Sequence, residues 1–266
     1  MKIELRYFTG TGNSWKGLDT CRGVFSEAGH QVHISKLDPM EKKIEGADLI
    51  GFAFPVYAFG MPRIVLKYLR SLKSFNSIQK VFFVFTAGDA NGAGLGTIKC
   101  ARILKRKNCD LIYSDVIKMP NNWIPFSTIL TMDENMRIIE AGVERSKQIT
   151  ADILNNKSEL FDYKKQPWFF KYPSNVINIM FRNFGLYGLK SMFKLYPSCN
   201  GCGICAKACP THTIIMVNGK PKWSGTTCEQ CMRCIHICPQ ESIYQFPAST
   251  KGKNRYMEPD FKPLED

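Results

Sequence analysis

No stretch of this 266-residue chain is long and apolar enough to suggest a membrane-spanning helix; the best candidate, Leu49 to Met61, is short and interrupted by Pro55. The opening Met1-Lys2-Ile3-Glu4-Leu5-Arg6 alternates apolar and charged residues and lacks the apolar core of a signal peptide. Acidic side chains are few, 23 against 36 basic ones, for a formal charge of +13. That excess is spread along the chain, without a zinc finger, basic zipper or aromatic RNA-binding signature, so no nucleic-acid partner is expected. Cysteine is sparse over most of the length. Cys21, Cys100 and Cys109 are scattered and carry no assigned role, whereas eight fall between Cys199 and Cys238. A secreted disulfide scaffold spreads its cysteines through a small chain, so this asymmetry points to the cytoplasm and to thiols free to bind metal.

What is present divides the chain. Over residues 1–160 short apolar runs alternate with helical periods. Strands are expected at Lys2–Phe8, Gln31–Ser35, Leu49–Phe54, Val81–Phe85 and Leu111–Ile117. Helices are expected at Ser14–Gly29, Arg63–Leu72, Leu95–Lys107 and Asp133–Asn155. Five strands alternating with helices imply an α/β parallel sheet with right-handed crossovers. Residues 161–198 lose periodicity; they carry six basic side chains and only Asp162 as an acid, among many aromatics. Val176, Met180, Phe184 and Tyr187 could share one helical face there. Packing between domains, membrane-surface contact through 168–196 and disorder all remain open for this basic aromatic connector, which is also where a partner is sought. After Pro247 a polar tail, 248–266, follows.

The cysteine-rich part is an internal repeat. Cys199-x-x-Cys202-x-x-Cys205-x-x-x-Cys209-Pro210 returns 29 residues later as Cys228-x-x-Cys231-x-x-Cys234-x-x-x-Cys238-Pro239. Three thiolates two residues apart can wrap three corners of an iron–sulfur cube from one loop, whereas zinc sites usually use two separated C-x-x-C pairs. His212 and His236 stand near these cysteines and read as surface or hydrogen-bonding residues. The repeat resembles bacterial-type ferredoxins with two [4Fe-4S] clusters, which implies an α+β domain over 199–247. The resemblance also implies a crossed assignment: Cys199, Cys202, Cys205 and Cys238 on one cluster, Cys228, Cys231, Cys234 and Cys209 on the other.

Between the first strand and helix lies Thr9-Gly10-Thr11-Gly12-Asn13-Ser14. Hydroxyls interspersed with glycines at a helix N-terminus suit a terminal phosphate. A dinucleotide fingerprint fits worse, because its third glycine falls at Trp15, and a nucleotide-triphosphate loop lacks its Gly-Lys-Ser/Thr ending. A plain turn with Asn13 or Ser14 as helix cap is the alternative. The hexapeptide looks like the FMN phosphate loop of flavodoxins, which implies strand order 2-1-3-4-5 over 1–160 and FMN at the switch point. In that family the loop after the third strand, here Pro55-Val56-Tyr57-Ala58-Phe59-Gly60, brings an aromatic to the ring; Tyr57 matches best and Phe59 second. Simple packing is the competing role for Tyr57. Thr86-Ala87-Gly88 would line the ring edge. The usual second aromatic is missing from residues 86–100, so Trp123 would have to cover the other face.

Together these features resemble fused flavodoxin–ferredoxin proteins of anaerobic prokaryotes. The resemblance implies an electron-transfer flavoprotein that moves electrons between two [4Fe-4S] clusters and FMN, with a ferredoxin or oxidoreductase as redox partner. A flavin-dependent reductase of a small molecule and a membrane-associated quinone or respiratory-complex link are the alternatives. For the reductase, Asp89 is the nearest acid, and it reads rather as a turn residue.

Overall fold

The computed structural model describes residues 1–89, 96–162, 173, 176–181, 190–224 and 228–265. Its larger part is a parallel sheet built from β1 (Lys2–Tyr7), β2 (Gln31–Lys36), β3 (Leu49–Pro55), β4 (Gln79–Ala87), β5 (Cys109–Lys118) and β6 (Glu159–Leu160). The order is β2-β1-β3-β4-β5-β6. The first five positions repeat the expected doubly wound order; the sixth strand is the difference. It is two residues long, pairs only Tyr113 and Ser114 of β5, and is too short and polar to have a periodic signature. Strand order reverses between β1 and β3, which opens a crevice beyond their carboxyl ends.

The inner strands are apolar on both faces, as a sheet covered by helices requires. Helices α1 (Asn13–Glu27) and α4 (Met132–Leu154) cover one face, where Leu18, Cys21, Phe25, Ile149 and Ile153 meet Ile3, Leu5, Phe82 and Val84. Helices α2 (Arg63–Ser71) and α3 (Gly96–Lys105) cover the other, over Phe52, Phe54, Phe83 and Phe85. Phe83 stacks on Phe52 and Phe85 at 5.3 and 5.4 Å, and burying each such ring stabilises the fold by about 2–3 kcal/mol. A reciprocal capping box between Thr131 and Glu134 starts α4. The three scattered cysteines are core residues: burial pushes the thiols of Cys21 and Cys109 up to about 12 and about 11, leaving them protonated and unreactive.

The cysteine-rich part has its own small sheets. Strand β7 (Phe193–Leu195) pairs antiparallel with β10 (Ile243–Gln245), and β8 (Ile214–Val217) with β9 (Lys220–Trp223). Helices α5 (Ile204–Lys207) and α6 (Arg233–His236) each follow the first two cysteines of a motif and carry the third. The stretch expected as pure connector therefore ends in a strand, at 193–195. Its expected apolar face is described only in part: Val176 and Met180 lie in helical residues 176–180 and are exposed, while Phe184 and Tyr187 lie outside the described residues. Among the described residues no helix is long and apolar enough to cross a membrane.

A third apolar core joins the two parts. Ile139 of α4 and Ile124 and Ile129 before it pack with Phe193, Ile214, Met232, Ile235, Ile243 and Tyr256. The tail read as polar contributes Tyr256, Glu258 and Phe261, all buried. Phe261 enters the α1 side of the sheet, 5.6 Å from Trp15, because the tail folds back across the start of α1.

Candidate functional site

The crevice at the switch point holds a cavity of about 360 Å³, in the size range of small-molecule sites. Its walls include Thr9, Gly10, Thr11 and Asn13 after β1, Pro55, Val56, Tyr57 and Phe59 after β3, Thr86, Ala87 and Gly88 after β4, and Trp123 after β5. Of the expected flavin-site residues, Gly12, Ser14 and Gly60 stand outside this lining. Ser14 is buried and shares a 2.7 Å hydrogen bond with Thr86 Oγ1. Gly12 takes a left-handed φ of 99°, and a Cβ there would lie 2.5 Å from Glu258 and 2.7 Å from Phe261. No side chain caps α1 at this end, so neither Asn13 nor Ser14 plays the cap role of a plain turn. Asn13 instead donates to the Pro120 carbonyl and accepts from the Tyr256 hydroxyl.

The loop after β3 closes as a two-residue turn. Tyr57 and Gly60 exchange both backbone hydrogen bonds, at 2.8 and 3.0 Å, with Ala58 and Phe59 at φ of 45° and 65°. Such turns favour Asn-Gly, so two side chains in left-handed conformation cost of order 1–3 kcal/mol each and persist where the surroundings impose them. The surroundings here are the connector: Asn178 donates to the Ala58 carbonyl at 2.9 Å, and its amide leaves no room for a Cβ on Gly60. Ile177 and Phe181 line the cavity from the same segment. Trp123, 46% exposed and 5.5 Å from Phe126, also faces the cavity, so the expected cover has company that loss of periodicity after Leu160 concealed.

The cavity wall suits a phosphate-bearing ring. Tyr57 Oη is buried without a hydrogen-bond partner, and burial, reinforced by the neighbouring Cys231, drives its pKa well up, so it stays a donor. Arg233, from between the cysteines of the second motif, reaches into the Thr9–Ser14 loop. Its Nε donates to the Gly10 carbonyl at 2.7 Å, Nη2 to Thr9 at 3.0 Å and Nη1 to Ala208 at 3.1 Å. In trans peptides, carbonyls turned toward Arg233 turn the N–H groups of Gly10 and Thr11 the other way. Those N–H groups are the ones a phosphate needs.

The second cysteine loop meets the parallel-sheet part at several points. Glu229 Oε2 and Oε1 accept from the backbone N–H groups of Arg63 and Ile64, at 2.8 and 2.9 Å, capping α2 where Pro62 offers no side chain. Gln230 lines the cavity. The Cys231 carbonyl oxygen is 2.6 Å from where a Cβ on Gly10 would be, so only glycine permits the two backbones to touch. Asn122 donates to Thr11 Oγ1 at 3.0 Å and to the Cys231 carbonyl at 3.3 Å. Of the two expected roles, surface or hydrogen-bonding, His236 takes the second: it is buried, Nε2 donates to the Asn122 carbonyl, and Nδ1 accepts from Tyr256 N–H. That pair of bonds fixes the neutral tautomer, and burial pushes the pKa down to about 4. His212 is exposed, as expected.

The eight cysteines gather in the two crossed groups. Cys199, Cys202, Cys205 and Cys238 line one small cavity. Burial pushes the Cys205 thiol up to about 11, with Cys238, Cys202 and Cys199 as its crowding neighbours. In the other group burial pushes Cys228 to about 11 and Cys231 to about 12, and Cys209 adds to both. Cys234 is driven up by burial, then by Cys231, Cys228 and Cys209 of its own group, and last by Cys205 of the other. Thiols crowded away from water ionise only when cations join them, which fits a donor set for iron. Among the described residues no three His, Cys, Asp or Glu side chains converge closely enough for a single metal ion; a cube spreads its ligands more widely.

Residues 198–243 match the family described as a 4Fe-4S dicluster domain. Among solved structures, the chain is similar to oxidised flavodoxin 1 from Bacillus cereus, at 17% identity over 59% of this chain and 100% of that one, TM-score 0.43. It is similar to an azoreductase from Bacillus anthracis str. Sterne, at 14% identity over 56% and 98%, TM-score 0.41. The flavodoxin of Streptococcus pneumonia TIGR4 gives 13% identity over 58% and 99%, TM-score 0.42. No curated protein matches the chain. The assignment of a flavodoxin-like fold rests on the strand order and the switch-point crevice, and the iron–sulfur assignment on the matched family.

Proposed function

We propose that this chain is an electron-transfer iron–sulfur flavoprotein that binds FMN in the switch-point cavity and two [4Fe-4S] clusters on its crossed cysteine groups. The observation that carries the reading is the backbone contact between Cys231 and Gly10, which joins a cluster-binding loop directly to the phosphate loop. Bound there, the clusters would exchange electrons singly and the flavin would hold one or two. The chain's part is to hold these groups close. Arg233 orients the phosphate loop, Tyr57 keeps a donor at the cavity wall, and Glu229 and His236 fix the second loop against α2 and Asn122. In the first loop Cys202 is exposed. In this reading electrons are exchanged with a ferredoxin or oxidoreductase at the first group and reach the flavin across the second.

An anaerobic reductive titration followed by visible and EPR spectra tests this. About eight iron, about eight sulfide and one FMN per chain are expected. Iron and sulfide well short of that after anaerobic reconstitution would overturn the two-cluster assignment. Stopped-flow mixing with reduced ferredoxin and with NAD(P)H separates carrier from reductase: the carrier accepts electrons from ferredoxin, with the clusters bleaching no later than the flavin.

A further inference from the structure

The acids of this chain stop at Asp162 and resume at Glu229: residues 163–228 hold nine Lys and Arg and no Asp or Glu. The first cysteine motif and the β8–β9 hairpin both lie inside that stretch. Glu229 is buried against the start of α2, and Glu241 lies 3.6 Å from Arg255. The hairpin has two faces. Register pairs Ile214 with Trp223 and Met216 with Pro221, and between them Ile215 with Lys222 and Val217 with Lys220. Successive residues of a strand point to opposite sides, so each set of pairs shares a face. On the inner face Ile214 is buried in the third core, Trp223 stacks on Phe193 at 5.0 Å, and buried Pro221 lines the cavity of the first cysteine group. On the outer face Ile215 and Val217 are 45% and 41% exposed, beside exposed Lys220 and Lys222. The Lys220 ammonium donates to the Cys199 carbonyl, which ties this face to the loop where Cys202 is exposed. Lys207, at the end of α5, adds a further exposed cation. A field of one sign beside a solvent-facing thiol group steers partners of the opposite sign toward it.

We propose that the outer face of the β8–β9 hairpin, with Lys207, Lys220 and Lys222, is the docking surface for a small acidic electron-carrier protein that delivers electrons singly to the first cluster. The inference rests on the proposed cluster assignment. In the transfer the carrier's reduced iron–sulfur centre loses one electron and the first cluster gains it; no bond forms or breaks. The face is small, as suits an encounter that must also end. Redox pairs bury less than about 1,200 Å² and draw their rate from charge complementarity. A lipid surface fits less well, because the face is a short strand pair rather than an amphipathic helix and carries no aromatic side chain.

The test uses the full, loaded chain and, as probe, an acidic [2Fe-2S] ferredoxin. Stopped-flow mixing with the reduced probe gives the second-order rate constant for cluster reduction. Calorimetry with the oxidised probe gives binding without requiring electron transfer. Raising salt from about 20 mM to about 0.5 M should lower the rate constant at least about tenfold. Lys207→Glu combined with Lys222→Glu should lower the low-salt value at least about tenfold and weaken binding, whereas Lys222→Arg should retain both. Lys67→Glu combined with Lys105→Glu makes the same charge change at exposed positions of α2 and α3, and should cost less than about threefold. Iron content and reduction by methyl viologen radical, which needs no docking, show whether each variant's clusters are intact. A rate constant indifferent to salt, an equal loss in the α2–α3 pair, or ferredoxin binding that survives the Lys207→Glu, Lys222→Glu change overturns the proposal. So does binding to phosphatidylglycerol vesicles that Lys222→Glu abolishes, without binding of ferredoxin. Iron well short of about eight per chain overturns the two-cluster reading instead, and calorimetry then still decides the surface.

Discussion

The two cysteine motifs have the same spacing and the same backbone, and nearly opposite surroundings. Offset by 29 residues, Gly201 and Gln230 both take left-handed φ, at 77° and 56°, as do Gly203 and Met232, at 77° and 60°. His212 and Glu241 match in the same way, at 51° and 46°. What differs is the side chains between the cysteines. The first motif has Asn200, Gly201, Ile204 and Lys207 where the second has Glu229, Gln230, Arg233 and His236. The second set reaches into α2, the cavity, the Thr9–Ser14 loop and Asn122. The first loop leaves Cys202 exposed and touches the β8–β9 hairpin, whose Gly219 carbonyl lies 2.3 Å from the position of a Cβ on Gly201. One repeat has been kept as a metal scaffold; its copy also became an interface. Cluster chemistry demands only the backbone and the thiols, so the residues between are available to decide what each loop touches.

Exchanging the thiols breaks the comparison most severely. Cys202→Ser and Cys231→Ser should each lower iron from about eight to about four per chain. Only Cys231→Ser should also release flavin, because its loop lies against Gly10 and Asn122. Iron, sulfide and flavin counts on anaerobically purified protein decide it; equal flavin retention in both would mean the contact is passive. Next is Arg233→Ile, which gives the second motif the first motif's residue. It strips three buried carbonyls of their donors and should cost about 3 kcal/mol or more, read as a lower denaturant midpoint, together with weaker FMN binding. Glu229→Ala removes the cap of α2 and should cost about 1 kcal/mol. Asn200→Ala, its counterpart, should stay within about 0.5 kcal/mol.

This asymmetry explains what could be read in advance. The strands follow from local apolar runs and the two-motif repeat from cysteine spacing, whereas the strand order and the crossed thiol groups are expected from the resemblance to flavodoxins and two-cluster ferredoxins. Arg233, Glu229 and His236 were readable only as residues near ligands, because their partners lie 223, 166 and 114 residues away in the chain. No period encodes such a contact. A signal was available: at the repeat offset, charged and polar residues replace Ile204 and Gly201, and a loop that holds metal has no need of that. The tail misled for a related reason. Tyr256, Glu258 and Phe261 are buried singly, between half-buried or exposed residues, so no apolar run marks the segment that covers the start of α1. Ile177 and Phe181 sit in a stretch whose composition pointed outward, and the cavity they line is formed by loops from four distant strand ends.

The smallest expected effect sharpens the comparison best. Gly203 and Met232 share one backbone conformation, yet the space around them differs. A Cβ on Gly203 would meet nothing within 4 Å, whereas Met232 is 1% exposed and packs in the core that joins the two parts. Gly203→Ala therefore tests backbone conformation alone: about 1 kcal/mol lost, with iron, sulfide and flavin unchanged. Met232 bears the same conformational cost and offsets it by packing, since truncating a buried Met typically costs about 2–5 kcal/mol. The left-handed turn is thus demanded by the cluster loop itself. A side chain is tolerated there only where a second surface is close enough to bury it. If Gly203→Ala costs several kcal/mol, measured by denaturant unfolding, the first loop is as tightly enclosed as the second, and the division between an outward and an inward motif fails.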